Sequence, residues 1–96
     1  MSLEEIISQI KPWHTVLTRL GVARLVLFGP PVQQGFIRKR ELDLIYQPLA
    51  PVTFDDYRKL KRFLEVLFQC RVDLAIADLE QAEVDPFTDP LALVLI

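Results

Sequence analysis

The chain has 96 residues, 51% apolar and 25% charged; this is the balance of a folded protein with room for one core, and it excludes both a disordered tail and a two-domain machine. A formal charge of -2 gives no general attraction to nucleic acid or to an anionic membrane, so any such role would need a local patch. The charge is uneven: all 11 Lys and Arg lie at or before Arg71, and six acids follow it with no base.

In chain order, Ser2 and Glu5 fit a capping box at a helix start. The segment MSLEEIISQIKPWH that they open carries acids where a secretory leader would carry bases, which points to a cytoplasmic protein. Leu3, Ile6, Ile7, Ile10, Trp13, Leu17 and Leu20 continue as a helical stripe across Pro12. Pro12 predicts a kink or a restart, and Gly21 predicts the helix end. His14 has no second ligand at metal spacing and is expected on the surface or in a structural role. The run ARLVLF then reads as a buried strand closed by Gly29. Pro30 and Pro31 suit a first helical turn, where free N–H groups are dispensable.

Leu42 to Tyr46 form a second strand, on which Glu41 and Asp43 share one face because side chains alternate. Thr53 predicts a helix N-cap with Asp56 as its third helical residue, and Tyr57, Leu60, Phe63, Leu64 and Leu67 give that helix an apolar stripe. Tyr46 and Tyr57 are expected at the core margin. The segment RVDLAIA is a third strand bearing Asp73, and Cys70 packs at its start. Cys70 is the lone cysteine, so no intrachain disulfide is possible and a reducing compartment is expected. The closing run Leu91 to Ile96 is apolar throughout but much shorter than the roughly 20 residues of a membrane helix, so the protein's own core or a partner must cover it. The order describes a single small α/β layer domain over residues 1–96, with no internal repeat.

Three carboxylates on strands, Glu41, Asp43 and Asp73, suit a hard divalent ion such as Mg²⁺, which takes oxygen ligands and shares them with phosphates. A glycine after a buried strand, here Gly29, lets the backbone approach a phosphate closely. The basic run Arg38, Lys39, Arg40 could meet phosphates of a nucleotide or of nucleic acid, although such a short run is more often a solvated loop.

Taken together, LVLFG, ELDLIY and RVDLAIA resemble the minimal nucleotidyltransferases of the DNA polymerase beta superfamily, from about Leu20 to Ala77 by motif and beyond that by layout. Glu41 and Asp43 fall 12 and 14 positions after Gly29, the register expected for the family's metal pair. The resemblance implies a small α+β nucleotidyltransferase-like fold, a three-stranded mixed sheet flanked by helices. It also implies Gly29 at the nucleotide phosphates, Glu41, Asp43 and Asp73 as ligands for Mg²⁺ or Mn²⁺, and Asp43 and Asp73 as the catalytic acids, while Arg38 and Lys39 of the basic run are the further candidates for phosphate contact. Relatives transfer a nucleotide from ATP, and some are antitoxins that adenylylate a helical HEPN-type toxin.

The departures fall on the chemistry. Pro30 stands in place of the family serine, Pro31 removes a second N–H, Gln33 sits near a usual arginine, and Glu41 replaces the first aspartate. Arg40, where a small residue is usual, could pair with Glu41 and Asp43 in place of a metal. The resulting expectation is a non-catalytic regulator or antitoxin-type protein acting on a HEPN-like partner or on a second copy of itself. The alternative is an active enzyme moving AMP from ATP to a protein hydroxyl. A nucleic-acid module has the least support in an acidic chain.

Overall fold

The computed structural model describes residues 1–35, 41–77 and 86–96. Arg38, Lys39 and Arg40, together with four of the late acids (Asp78, Glu80, Glu83, Asp85), lie outside the described residues.

The N-terminal stripe folds as α1 (Leu3–Ile10), a 3₁₀ turn (Lys11–Trp13) and α2 (His14–Arg19). Ser2 Oγ accepts the Glu5 N–H at 3.1 Å, the capping half the sequence calls for. Pro12 restarts the helix through the 3₁₀ turn rather than merely bending it, since its ring removes an N–H from the ladder. Gly21, at φ 90°, turns the chain into β1 (Val22–Phe28).

Next come α3 (Pro30–Gln34) and β2 (Glu41–Pro48), then α4 (Phe54–Phe68), β3 (Arg71–Ile76) and β4 (Ala92–Val94). Thr53 caps α4 by accepting the Asp56 N–H at 3.1 Å. The sheet order is β3-β2-β1-β4, with β2 and β3 parallel and β1 antiparallel to both β2 and β4. The expected mixed sheet is present, but with four strands and not three. The extra strand is the apolar C-terminal run, which pairs with the protein's own sheet and is covered in part: Leu95 is buried while Val94 stays 51% exposed. Unbroken apolarity does not show which strand such a run pairs with.

The last residues extend that pairing: Leu95 N–H donates to the Leu25 carbonyl at 2.8 Å, and Leu25 N–H donates to the Ile96 carbonyl at 3.2 Å. Leu95 is buried in the core, and Leu93 and Ile96 pack against it.

The main core lies between the sheet and α1, α2 and α4, built from Ile6, Ile10, Leu17, Leu60 and Leu64 against Leu25, Leu27, Leu42, Leu44, Val72 and Leu74. Tyr46 goes deeper than the margin expected for it, at 2% exposure. Tyr57 sits at the margin, its hydroxyl donating to the Leu74 carbonyl at 2.6 Å. Glu65 accepts the Val72 N–H at 3.2 Å. These two α4 side chains occupy polar groups of edge strand β3 that would otherwise invite pairing with another chain. Cys70 is half-buried beside the start of β3, and burial together with the nearby Glu65 carboxylate raises its thiol pKa above the ordinary value. His14 is exposed.

Candidate functional site

The sheet face away from the main core carries the acids. On β2, Leu42 and Leu44 point into the core, which forces Glu41 and Asp43 outward, and on β3 Val72 and Leu74 do the same for Asp73. Parallel pairing sets Asp43 directly beside Asp73 and Glu41 beside Arg71. All three acids are exposed, and a ligand oxygen of each lies within 4.8 Å of the other two. The structure therefore brings together the three acids that the sequence singles out.

Three converging carboxylate oxygens make a hard donor set, open to solvent on one side, and that set fits Mg²⁺ or Mn²⁺ sharing its remaining positions with water or phosphate. A substitution of Glu for Asp does not scatter the cluster, because a shift of one methylene is small against the reach of the group. Arg71 was missed in the sequence, although the alternation of β3 places it on the face of Asp73. It adds a cation at the register position of Glu41. The expected pairing of Arg40 with the acids lies outside the described residues, as do the phosphate roles of Arg38 and Lys39.

The turn after β1 lies at the level of the acids. Leu27 pairs with Leu44, so Phe28 stands beside Asp43 and Gly29 follows at once. Gly29 has φ 116° and ψ -172°, open to glycine and strained for any L-residue with a side chain. Pro30 and Pro31 begin α3, as expected of prolines in a first helical turn. The turn's hydrogen bonds were not legible in advance. Gly29 is buried and its N–H donates to the Leu91 carbonyl at 2.9 Å, just before β4. Pro30 and Pro31 have no N–H, and the Val32 N–H donates to the Gly29 carbonyl at 3.1 Å. From Gly29 to Val32, every backbone donor is either absent or already bonded within the protein.

Elsewhere on this face, Val26 and Phe87 are buried apart from the main core cluster, with the Arg24 guanidinium 4.2 Å from the centre of the Phe87 ring. A small hydrophobic patch thus closes the face beside the acids.

Comparison with known proteins decides the family. A solved structure of a protein assigned as a minimal nucleotidyltransferase matches at 31% sequence identity and a TM-score of 0.66, over 79% of this chain and 78% of that one. The chain belongs to the minimal nucleotidyltransferase family. Two structures of toxin-antitoxin MntA-HpeT variants share the fold. The one with two aspartate-to-glutamate substitutions has a TM-score of 0.61 at 16% identity, over 100% of this chain and 73% of that one. The tyrosine-to-alanine variant has a TM-score of 0.58 at 15% identity, over 98% and 71%. No family model matches the sequence, and no curated protein is similar enough to count as a match. Within this fold, the chain sets three converging carboxylates beside a turn whose backbone donors are absent or already bonded. Among the described residues no helix is long and apolar enough to cross a membrane.

Proposed function

We propose that this minimal nucleotidyltransferase homologue has lost effective nucleotide transfer and works by binding a protein, as the antitoxin or regulatory member of a pair with a HEPN-like helical partner in the cytoplasm. The observation that carries the reading is the turn from Gly29 to Val32, which offers no free backbone donor because Leu91 and Gly29 accept the only two N–H groups and the prolines have none. A triphosphate is held largely by such donors, and each charge-assisted hydrogen bond forfeited costs about 1.5–3 kcal/mol of binding. The toxin-antitoxin assembly of the MntA-HpeT neighbours supports a protein partner.

One observation favours a second reading, an active enzyme: Glu41, Asp43 and Asp73 still converge. In that reading they would hold Mg²⁺ or Mn²⁺, which when bound supplies charge stabilisation at the phosphates. The chain's own part would be to position the ion and to accept a proton from the acceptor hydroxyl at Asp43 or Asp73.

The two readings separate on co-expression with a HEPN-like helical protein. In the binding reading, the complex forms equally well with the Asp43→Asn, Asp73→Asn variant, and labelled ATP leaves no nucleotide on either chain. Transfer of label that requires these acids would overturn it in favour of the enzyme.

A further inference from the structure

The other face of the sheet holds a cleft that the nucleotidyltransferase reading does not use. Its inner chamber, about 70 Å³, is lined by Leu20, Gly21, Tyr46, Pro51, Val52 and Asp56 among others. An outer chamber of about 220 Å³ shares Leu20, Gly21 and Asp56 with it and adds Arg19 and Lys59. The walls come from the end of α2, the Gly21 turn, the loop before α4 and the first two turns of α4.

Tyr46 is the unusual element. Its side chain is almost wholly buried, at 2% exposure, yet among the described residues its hydroxyl has no hydrogen-bond partner. Among the described residues no buried side-chain oxygen lacks a partner, so this hydroxyl is not sealed in the core, and Tyr46 lines the inner chamber. A phenol placed this way normally finds a partner. Burial, with Tyr57 and Asp56 nearby, raises its pKa above the ordinary value, so at neutral pH it is a protonated O–H. Asp56 stands between the chambers, and Lys59 and Arg19 stand at the outer one. Tyr46 thus lines the inner chamber, Asp56 both chambers and the two cations the outer one, with apolar walls from Leu20, Pro51 and Val52.

We infer that this cleft binds a small zwitterion of the α-amino-acid class, with its ammonium between the Tyr46 hydroxyl and the Asp56 carboxylate and its carboxylate toward Lys59 and Arg19. An anion alone would meet Asp56, and a cation alone would leave Arg19 and Lys59 unused. The chambers also set a size limit: with about 30 Å³ per water, the inner one takes a couple of water-sized groups, enough for an ammonium and its carbon. The site is independent of the acids on the opposite face.

Titration of the isotope-labelled full chain with glycine, L-alanine and L-leucine, followed by amide NMR, tests the inference. The amides of Gly21 and Asp56 should shift saturably at millimolar ligand, while acetate and methylammonium, which each carry one of the two charges, should bind at least about tenfold more weakly. Tyr46→Phe keeps the ring in the core and should weaken binding about tenfold, as should Asp56→Asn on the surface. The paired Arg19→Gln, Lys59→Gln variant should do the same. Absence of a saturable shift with any of the three amino acids overturns the inference. So does affinity unchanged in Asp56→Asn and Tyr46→Phe, or acetate binding as well as glycine.

Discussion

Giving the turn its donors back should give the protein a grip on nucleotide. Pro30→Ser with Pro31→Ala restores two backbone N–H groups and one hydroxyl at the start of α3, beside the level at which β2 carries Asp43. Gly29 itself cannot contribute, since its N–H is held by the Leu91 carbonyl. Pro30 is exposed and Pro31 half-buried, so each new charge-assisted bond to phosphate competes with water and is taken at the low end of its range, about 1.5 kcal/mol. Two or more such bonds should tighten Mg²⁺-dependent ATP binding by at least about tenfold, or roughly 1.4 kcal/mol. The same change frees the unfolded chain at two prolines and should lower stability by about 0.4–1 kcal/mol each, a shift of several degrees in Tm. Calorimetry reads the first effect and thermal unfolding the second. Adding Asp43→Asn and Asp73→Asn should abolish the gain in affinity. If the doubly substituted protein keeps its helical circular dichroism but binds ATP no better than the parent, the argument that the prolines silence the turn fails.

Three further outcomes follow from the packing and the acids. Leu95→Ala should cost about 2–4 kcal/mol in denaturant unfolding, because Leu95 is buried in the core and anchors the C-terminal strand; a loss under about 1 kcal/mol would mean that the run is not held as described. Cys70 should alkylate at least about tenfold more slowly than free cysteine at mildly alkaline pH, since its raised pKa leaves less thiolate, and unfolding should restore the rate. Mn²⁺ alone should bind weakly, followed by its paramagnetic effect on water relaxation, and Asp43→Asn should weaken it by about tenfold or more because one converging carboxylate of the cluster is gone.

Much of the site was legible because it rests on period-two alternation. Once Leu42, Leu44, Val72 and Leu74 are assigned to the core, Glu41, Asp43 and Asp73 must share the other face, and the parallel register brings Asp43 beside Asp73. The helix starts at Ser2 and Thr53 were readable because each is a local contact across three residues. The fourth strand was not, since pairing of β4 with β1 joins residues more than sixty positions apart and apolarity carries no address. The Gly29 to Leu91 hydrogen bond was hidden for the same reason. Prolines announced the missing donors, but nothing local announced that the remaining glycine N–H was already taken by a distant carbonyl. The end of α4 was equally opaque: Gln69 takes the left-handed position at φ 54° where a glycine would be looked for, and its amide donates to the Val66 carbonyl at 2.6 Å.

The central claim is that a family member whose three acids still converge has a turn that does not hold a triphosphate. Calorimetric titration of the unaltered protein with ATP, with and without Mg²⁺, tests it most directly. Loss of two or three charge-assisted bonds, together about 3–6 kcal/mol or more, should push the Kd up by roughly 10²–10⁴ from a working site, leaving little or no heat at micromolar ATP in either condition. Low-micromolar, Mg²⁺-dependent binding that disappears in Asp43→Asn would contradict the claim and favour the enzyme reading.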